Sequence, residues 1–301
     1  MPIPILSLPA KDIQYALNCM DTCDLLAFSL CSKRTKNLAK SSNRKIDPIS
    51  VEAYDNSIRF IIYSWGLSQP INFMTSSDSR IQLDRGNGIE FWRKRKFTQS
   101  DWIAHFLSIF NESMIDQLGI NNVCPISNLD NVKQIIPKCQ ALRIFEPCST
   151  KLAKAAILKL APIVEEVEVY TNHVINDISL FLSCNLKALV ISDWINPLKL
   201  ELSDLLVLNV IDLTLETANI TDKELNRFLK IWMKGNHRFY RPKNITLKLS
   251  RRMQVNREEV FKGIQYRTVD DNYRLKRADG KELLVLVCRV AFEFRVTFEF
   301  R

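Results

Sequence analysis

Apolar residues near the start of the chain recur at the spacing of an α-helix. They lie three or four positions apart, on one helix face, and are Ile13, Ala16, Leu17 and Met20. Pro9 precedes them and fits a helix start, because the first helical position needs no backbone donor. Asp21 is placed to cap a second helix. The apolar positions of that helix are Leu25, Leu26 and Leu30, and a basic stretch over 33–45 predicts a third helix.

Three helices in residues 1–45 cannot bury all of their apolar faces against one another, because so small a unit has a high ratio of surface to volume. The surplus apolar surface predicts a protein partner. The whole chain has 301 residues, which is enough for about two domains, so a sizeable second unit is expected to follow.

These N-terminal residues resemble an F-box. The family pattern is a Leu-Pro pair before the first helix, Asp-Leu-Leu in the second, and Cys with basic residues opening the third. The corresponding segments here are Leu8-Pro9, Asp24-Leu25-Leu26 and Cys31-Ser32-Lys33-Arg34. Lys11 and Arg34 depart from the pattern, since many F-boxes have an acidic residue and a Trp there. The segment 28–34 is similar to the large nematode family of F-box proteins.

The next hundred residues change from strand to helix patterns. Ile49–Tyr54 and Ile58–Tyr63 predict a hairpin around a turn at 55–57. The polar stretch 76–90 contains Gly86 and Gly88 and predicts a loop. A helix is predicted behind Thr98 or Ser100 as its cap, with an apolar stripe formed by Trp102, Ile103, Phe106, Leu107 and Phe110.

Strand and helix patterns alternate through the rest of the chain, which favours a parallel sheet, because parallel neighbours need a crossover. The predicted strands begin at 142, 167, 186, 210 and 245, so the steps are 25, 19, 24 and 35 residues. The first three steps are close to the leucine-rich-repeat range of about 20–29 residues. The Asn/Cys ladder of that repeat is absent, so we predict a degenerate α/β solenoid, with a compact α/β sandwich as the alternative.

The segment 221–234 is the best-defined helix. Thr221 and Glu224 form a capping box. Gly235 follows the helix at the position where a residue in the left-handed backbone conformation often ends it. The apolar positions are Leu225, Phe228, Leu229 and Trp232. This helix resembles part of the type-two F-box-associated domain of nematode F-box proteins, as does the segment 256–264.

The C-terminal tail is nearly duplicated, with 289–294 repeated as 295–300. Even positions from 284 to 300 are apolar, which predicts a strand with one face to bury. Asp279-Gly280 fits a preceding turn, but the doubled tail departs from the family's shorter hairpin. Such a strand would be an aggregation hazard if it were unpaired.

Composition and motifs argue against several other classes of protein. The net charge is +9 with a pI near 9.1, but the excess is spread along the chain, so a nucleic-acid partner is not expected. Eight Cys and three His show no zinc-finger spacing. A signal peptide and a run of ~18 apolar residues are both missing, which predicts a soluble protein of the cytoplasm, the nucleus or both.

A catalytic constellation is not expected either. Gly86-x-Gly88 lacks a third glycine, and the acidic pairs at 165–166, 258–259 and 270–271 are expected on solvated surface. His105 lies among aromatic residues and is expected to pack rather than act as a base. The basic run 93–96 predicts a solvated surface, with nuclear import or nucleic-acid contact as alternatives. No cofactor or metal is expected.

The predicted fold class is therefore α+β, with an N-terminal three-helix F-box followed by an α/β domain. The predicted divisions are 1–45 for the F-box, 46–97 for a β-rich connection, and 98–301 for a repeat-like α/β domain. The F-box-associated region is expected at about 200–301. The concave face of the parallel sheet is the default expectation for a target-binding surface.

The resemblance implies the substrate-recognition subunit of a cullin–RING ubiquitin ligase, itself non-catalytic. It would bind a Skp-type adaptor, and through it cullin and RING subunits, and hold an unknown target protein. The expected adaptor-binding residues are Leu6, Leu8, Pro9, Ile13, Leu25 and Leu26. The alternatives are a non-degradative interaction scaffold and a nucleic-acid-binding protein. The latter would use Lys33, Arg34, Lys36, Lys40, Arg44 and Lys45.

Overall fold

The structure is a computed structural model in which the chain forms two compact units, Met1–Gln140 and Ala141–Arg301. It describes residues 5–45, 48–55, 57–62, 71–76, 80–84, 88–171, 178–193, 195–235, 241–250, 253–270, 272–290 and 293–301. Both units mix helix and sheet, as expected for an α+β protein. The division between them lies inside the segment that the sequence assigns to the α/β domain.

The first unit begins with helices and continues into a sheet. The helices are a 3₁₀-helix at Ile5–Ser7, α1 at Ala10–Cys19, α2 at Thr22–Cys31 and α3 at Lys33–Ser41. Five strands follow, β1 at Ile49–Ala53, β2 at Ser57–Ile62, β3 at Ile71–Ser76, β4 at Arg80–Asp84 and β5 at Ile89–Arg93. The unit ends with α4 at Gln99–Ile109, β6 at Ile115–Ile120, a 3₁₀-helix at Ile126–Asn128 and α5 at Leu129–Ile135. Each of β1 to β5 pairs antiparallel with the next, and β6 runs parallel to β1.

Local signals predicted several of these elements correctly. The Asp21 carboxylate accepts the Asp24 backbone N–H at 2.7 Å and caps α2. Thr98, not Ser100, caps α4, and Asp101 bonds back to the Thr98 N–H. The predicted loop over 76–90 is wrong, because β4 and the start of β5 lie there. Positions 77–79 and 85–87 of that prediction, and Asn56 and Tyr63 of the predicted hairpin, lie outside the described residues.

Helix α4 fills the inner side of the N-terminal helices, where it packs against α2 and α3. Its buried side chains are Trp102, Ile103, His105, Phe106, Leu107 and Ile109. On one side the Phe106 ring meets Phe60 of β2 edge-on, with centroids 5.2 Å apart. On the other side His105 Nε2 lies 2.7 Å from the hydroxyl of Ser29 in α2. A helix that is buried on several sides, as α4 is, packs between layers and not on a surface.

His105 is neutral at physiological pH. Burial above all, and then the nearby charges of Lys36 and Lys94, lower its pKa from the ordinary value of 6.5 to about 4. The expectation that His105 packs and does not act as a base agrees with this environment. The imidazole therefore links α4 to α2 as an uncharged hydrogen-bonding group.

The second unit is a sheet with helices between its strands. Its earlier elements are β7 at Cys139–Ile144, α6 at Thr150–Leu160, a 3₁₀-helix at Ala161–Ile163, β8 at Val164–Thr171, α7 at Ser179–Leu182, β9 at Ala188–Asp193, β10 at Leu198–Lys199 and α8 at Leu202–Leu206. Its later elements are β11 at Asp212–Asn219, α9 at Asp222–Met233, β12 at Asn244–Leu249, α10 at Arg257–Val260, β13 at Arg267–Val269, β14 at Asn272–Lys276, β15 at Glu282–Val290 and β16 at Glu293–Phe300. The strand order is β7-β8-β9-β11-β12-β16-β15-β14-β13, with β10 beside β11.

The parallel sheet is confirmed for β8, β9, β11 and β12. The leucine-rich-repeat-like solenoid is not confirmed, because antiparallel β16 joins β12 and ends the parallel run. Helix α9 has the predicted capping box of Thr221 and Glu224, and Gly235 after it has a φ of +73°. Since L-residues with a side chain rarely adopt this φ, the helix stop favours glycine.

The duplicated tail forms two strands. β16 lies between β12 and β15 and is hydrogen-bonded on both sides, so it does not present a free edge. Val296 and Phe298 are buried in β16, as the even-position pattern predicts. In β15 the prediction is wrong, because Leu283, Val285 and Val287 are the buried residues. Apolar residues occupy both faces of β15, so its sequence pattern does not identify the buried face.

Phe298 belongs to a buried row that crosses the sheet in register. The row runs through Val167, Leu189, Leu213, Ile245, Phe298 and Val285. The Phe298 ring also meets Phe228 of α9 edge-on, with centroids 5.5 Å apart. The tail is thus part of the core of the second unit.

We expect Phe298→Ala to destabilise the second unit by about 3–5 kcal/mol, because a large buried side chain leaves a cavity. Urea unfolding followed by circular dichroism measures this loss. Thr297→Ala is the matched control on the other side of the same strand, and its expected cost is about 1 kcal/mol or less. Equal losses for both variants would show that β16 is not packed as described.

We expect the first unit to lose stability as the pH falls from 6.5 towards 4. In this window the unfolded chain protonates His105 while the folded chain does not, so acid favours unfolding. His105→Gln, whose amide can still bond the Ser29 hydroxyl, should show a shallower decline in melting temperature. Identical pH profiles for the two proteins would contradict the neutral, buried state of His105.

Candidate functional site

The exposed apolar surface at the N-terminus is a ledge formed by Leu6, Leu8 and Pro9, here called the docking ledge. Leu6 and Leu8 are half-buried and Pro9 is exposed. A short turn fixes their positions, since the Leu8 N–H donates to the Ile5 carbonyl at 3.3 Å. Pro9 stands just before α1, and its carbonyl accepts the Ile13 N–H at 3.0 Å. The ledge is therefore held at the start of α1 and is partly exposed to solvent.

The other three residues predicted to bind an adaptor lie inside the first unit. Ile13 is 5% exposed, and Leu25 and Leu26 are fully buried. In this conformation their side chains are not available to a partner. The sequence did not separate the two groups, because helical spacing marks apolar positions without saying which partner covers them. The apolar stripe of α4 was the available sequence signal, because it shows a second apolar helix face in the same chain.

Tyr15 is an exposed residue that the sequence reasoning missed. Its side chain is 73% exposed, the largest value among the large apolar side chains of the described residues. It lies on α1, the helix that the docking ledge leads into. Helical periodicity sets Tyr15 apart from the buried positions Ile13 and Leu17, and this was a signal that could have identified it. An exposed Tyr is a residue type enriched at protein interfaces.

Side chains from outside the three helices satisfy the carbonyls at their C-terminal ends. Arg44 donates to the carbonyls of Leu17 at 3.2 Å and Asn18 at 2.8 Å, at the end of α1. Lys94 donates to the Leu30 carbonyl near the end of α2. Asn111 donates to the Lys40 carbonyl near the end of α3, at 3.2 Å. Cations at these ends also complement the helix dipole.

This capping changes the interpretation of the basic residues. Arg44 belongs to the predicted nucleic-acid set and Lys94 to the basic run 93–96, but both are engaged within the first unit. The remaining members of the two sets are exposed apart from Lys36, which is half-buried. Among the described residues there is no cluster that could hold a metal ion. A search of the same residues finds no helix with the length and hydropathy of a membrane span.

In the second unit, acidic residues on one face of the sheet are paired with neighbouring cations. This face is opposite the buried row that contains Val167. Glu168 lies 2.6 Å from Arg143 Nε and Glu166 lies 3.6 Å from Lys187 Nζ. A third pair joins Glu216 and Lys248. Because these charges compensate one another, the parallel part of the sheet has little unpaired charge to offer a partner.

Comparison with known families identifies two domains in the chain. The F-box domain matches residues 5–47, which include α1, α2, α3 and the docking ledge. The family described as "F-box associated" matches residues 177–238, which include α9. This match begins earlier than the predicted region at about 200–301 and ends before β12. The resemblances stated for the N-terminal residues and for the helix at 221–234 are confirmed, whereas the segment 256–264 lies outside the match.

A similar protein is found in Caenorhabditis elegans. It is the "F-box associated domain-containing protein sdz-33", which is 24% identical over 303 aligned residues. The alignment covers 95% of this chain and 94% of that protein. No solved structure matches the chain. These findings favour the F-box interpretation over a nucleic-acid-binding protein, and the chain carries an F-box followed by an F-box-associated domain, which is the composition of an F-box substrate-adaptor protein.

Proposed function

We propose that this protein is the substrate-recognition subunit of a cullin–RING ubiquitin ligase and binds a Skp-type adaptor through the docking ledge. The observation that carries the proposal is a partly exposed apolar ledge at the start of the F-box match, on helices against which α4 packs. Leu6, Leu8 and Pro9 would contact the adaptor directly. Exposed apolar surface of this kind is typical of a docking site.

The buried residues Ile13, Leu25 and Leu26 would act indirectly in this proposal. They are covered within the first unit, so their contribution to adaptor binding is to hold α1 and α2 in place. Truncating any of them would create a cavity and cost folding stability. A binding defect in such a variant would therefore report on folding, whereas a defect in Leu8 or Pro9 would report on contact.

The protein would promote ubiquitin transfer without covalent chemistry of its own. The second unit would hold a target protein while the cullin and RING subunits hold a ubiquitin-charged enzyme. Joining the two raises the effective concentration of the target's lysines near the reactive thioester. A scaffold that binds the adaptor without degradation would use the same ledge. The two functions differ in whether the bound target becomes ubiquitinated.

We expect the double substitution Leu8→Ala/Pro9→Ala to weaken adaptor binding while the chain stays folded. Loss of an apolar anchor costs about 2 kcal/mol at an interface, which is roughly thirtyfold in Kd. Biolayer interferometry with a purified Skp-type adaptor measures the change. Folding should be retained because these side chains are exposed or half-buried.

Lys40→Ala is the matched control, since Lys40 is an exposed residue on α3 within the same F-box match. It should bind the adaptor as the wild-type protein does. Leu25→Ala should lower the melting temperature of the first unit. Undiminished capture of the adaptor by the double variant would remove the docking ledge from the proposal.

A further inference from the structure

The sheet of the second unit ends in a short exposed edge strand. β13 pairs with β14 on one side, in the register Thr268 with Tyr273 and Val269 with Asn272. No other described strand pairs with it, and all three of its residues are exposed. An edge strand presents unpaired backbone N–H and C=O groups to solvent. Such an edge can accept an extended peptide as an additional strand.

A groove of about 860 Å³ lies beside this edge, here called the edge groove. Its lining combines apolar and basic side chains, namely Ile264, Tyr266, Val269, Arg267, Arg274 and Lys276. Tyr266 is 44% exposed and Val269 is 41% exposed, which is high for large apolar residues. The groove is large enough for a few side chains of a bound peptide.

Neighbouring rings hold Tyr266 in place. Its ring centroid lies 5.0 Å from Phe261 and 5.2 Å from Tyr273. Phe261 and Tyr273 stack on each other at 4.2 Å, and Arg257 lies over the Tyr273 ring. Because the exposed aromatic is already ordered, a ligand that packs on it would lose less conformational entropy on binding.

The charge of the edge groove is positive. Glu282 is the acidic residue of its lining, against three cations. Arg274 and Lys276 both pair with this carboxylate, and the hydrogen bond from Arg274 holds the pKa of Glu282 below its usual range. Arg267 makes no ion pair with a described residue. The acidic residues on the parallel strands are paired, as described above, so unpaired positive charge distinguishes the edge groove from that part of the sheet.

We propose that β13 and the edge groove receive an acidic, extended segment of the target protein as an added strand. Carboxylates of that segment would face Arg267 and its basic neighbours, and the apolar side chains that alternate with them would pack on Tyr266. The identity of the partner as a ligase target rests on the proposed function. The peptide-binding surface itself rests on the edge, the rings and the charges.

The test uses the full chain and two fluorescent octapeptide libraries. One library has Glu fixed at alternate positions, the other has Lys, and the remaining positions vary among Val, Ile, Thr, Tyr and Phe. We expect fluorescence anisotropy to show binding of the Glu library that weakens with added salt. Arg267→Glu should weaken this binding about fivefold or more, because attraction becomes repulsion. Lys154→Glu, an exposed charge reversal on α6, should leave it unchanged.

Strand addition is tested by N-methylating a peptide selected from the Glu library at either set of alternate residues. One set of amides faces β13 and the other faces away. Methylation of one set should abolish binding, and methylation of the other should be tolerated. Loss with both sets, or with neither, would overturn strand addition. Equal binding of the Glu and Lys libraries, or an unaffected Arg267→Glu variant, would overturn the acidic specificity.

The adaptor-binding variants separate this inference from the proposed function. The Leu8→Ala/Pro9→Ala protein should bind the Glu library as the wild-type chain does, and Arg267→Glu should bind the Skp-type adaptor normally. Adaptor binding without peptide binding would refute the edge groove and leave the ligase proposal in place. Peptide binding without adaptor binding would refute the ligase proposal alone.

Discussion

The structure of the first unit depends on one constraint: the three N-terminal helices are too small to enclose their own apolar side chains. The chain supplies the missing packing on the inner side through α4, which the Ser29–His105 hydrogen bond joins to α2. Side chains from outside the helices, such as Arg44, satisfy carbonyls at the helix ends. The docking ledge is left facing solvent. The F-box is thus folded into its own chain and presents a limited apolar surface.

In the second unit, a sheet buries the apolar side chains. A row of aliphatic and aromatic side chains crosses its strands in register and packs with α9, and the C-terminal strand β16 supplies Phe298 to that row. Pairing of β16 on both sides removes one exposed edge. The sheet instead ends at β13, where exposed Tyr266 and the unpaired charge of Arg267 give that edge a chemistry suited to recognition. The docking ledge and the edge groove are therefore built from different parts of the chain.

Local sequence signals predicted the features that depend on neighbouring residues. The caps at Asp21, Thr98 and Thr221 and the stop at Gly235 each satisfy backbone groups within a few positions, so their residue types indicate them. The parallel sheet also followed from the alternation of strands and helices.

Features that depend on distant residues were harder to predict. Leu25 and Leu26 are apolar helix positions whether an adaptor or the rest of the chain covers them, so their burial could not be predicted from spacing. β4 was not predicted, because turn-forming residues surround the short stretch in which Ile81 and Leu83 alternate with polar residues. Val285 lies in a strand with apolar residues on both faces, and tertiary packing alone selects the buried one.

Hydrogen–deuterium exchange of the full chain, with and without a purified Skp-type adaptor, tests the central claim most directly. If α4 fills the inner side and the docking ledge faces outwards, the adaptor should slow exchange across residues 5–19 and leave 99–109 unchanged. Unchanged exchange at 5–19, or faster exchange in α4 as it is displaced, would contradict this arrangement.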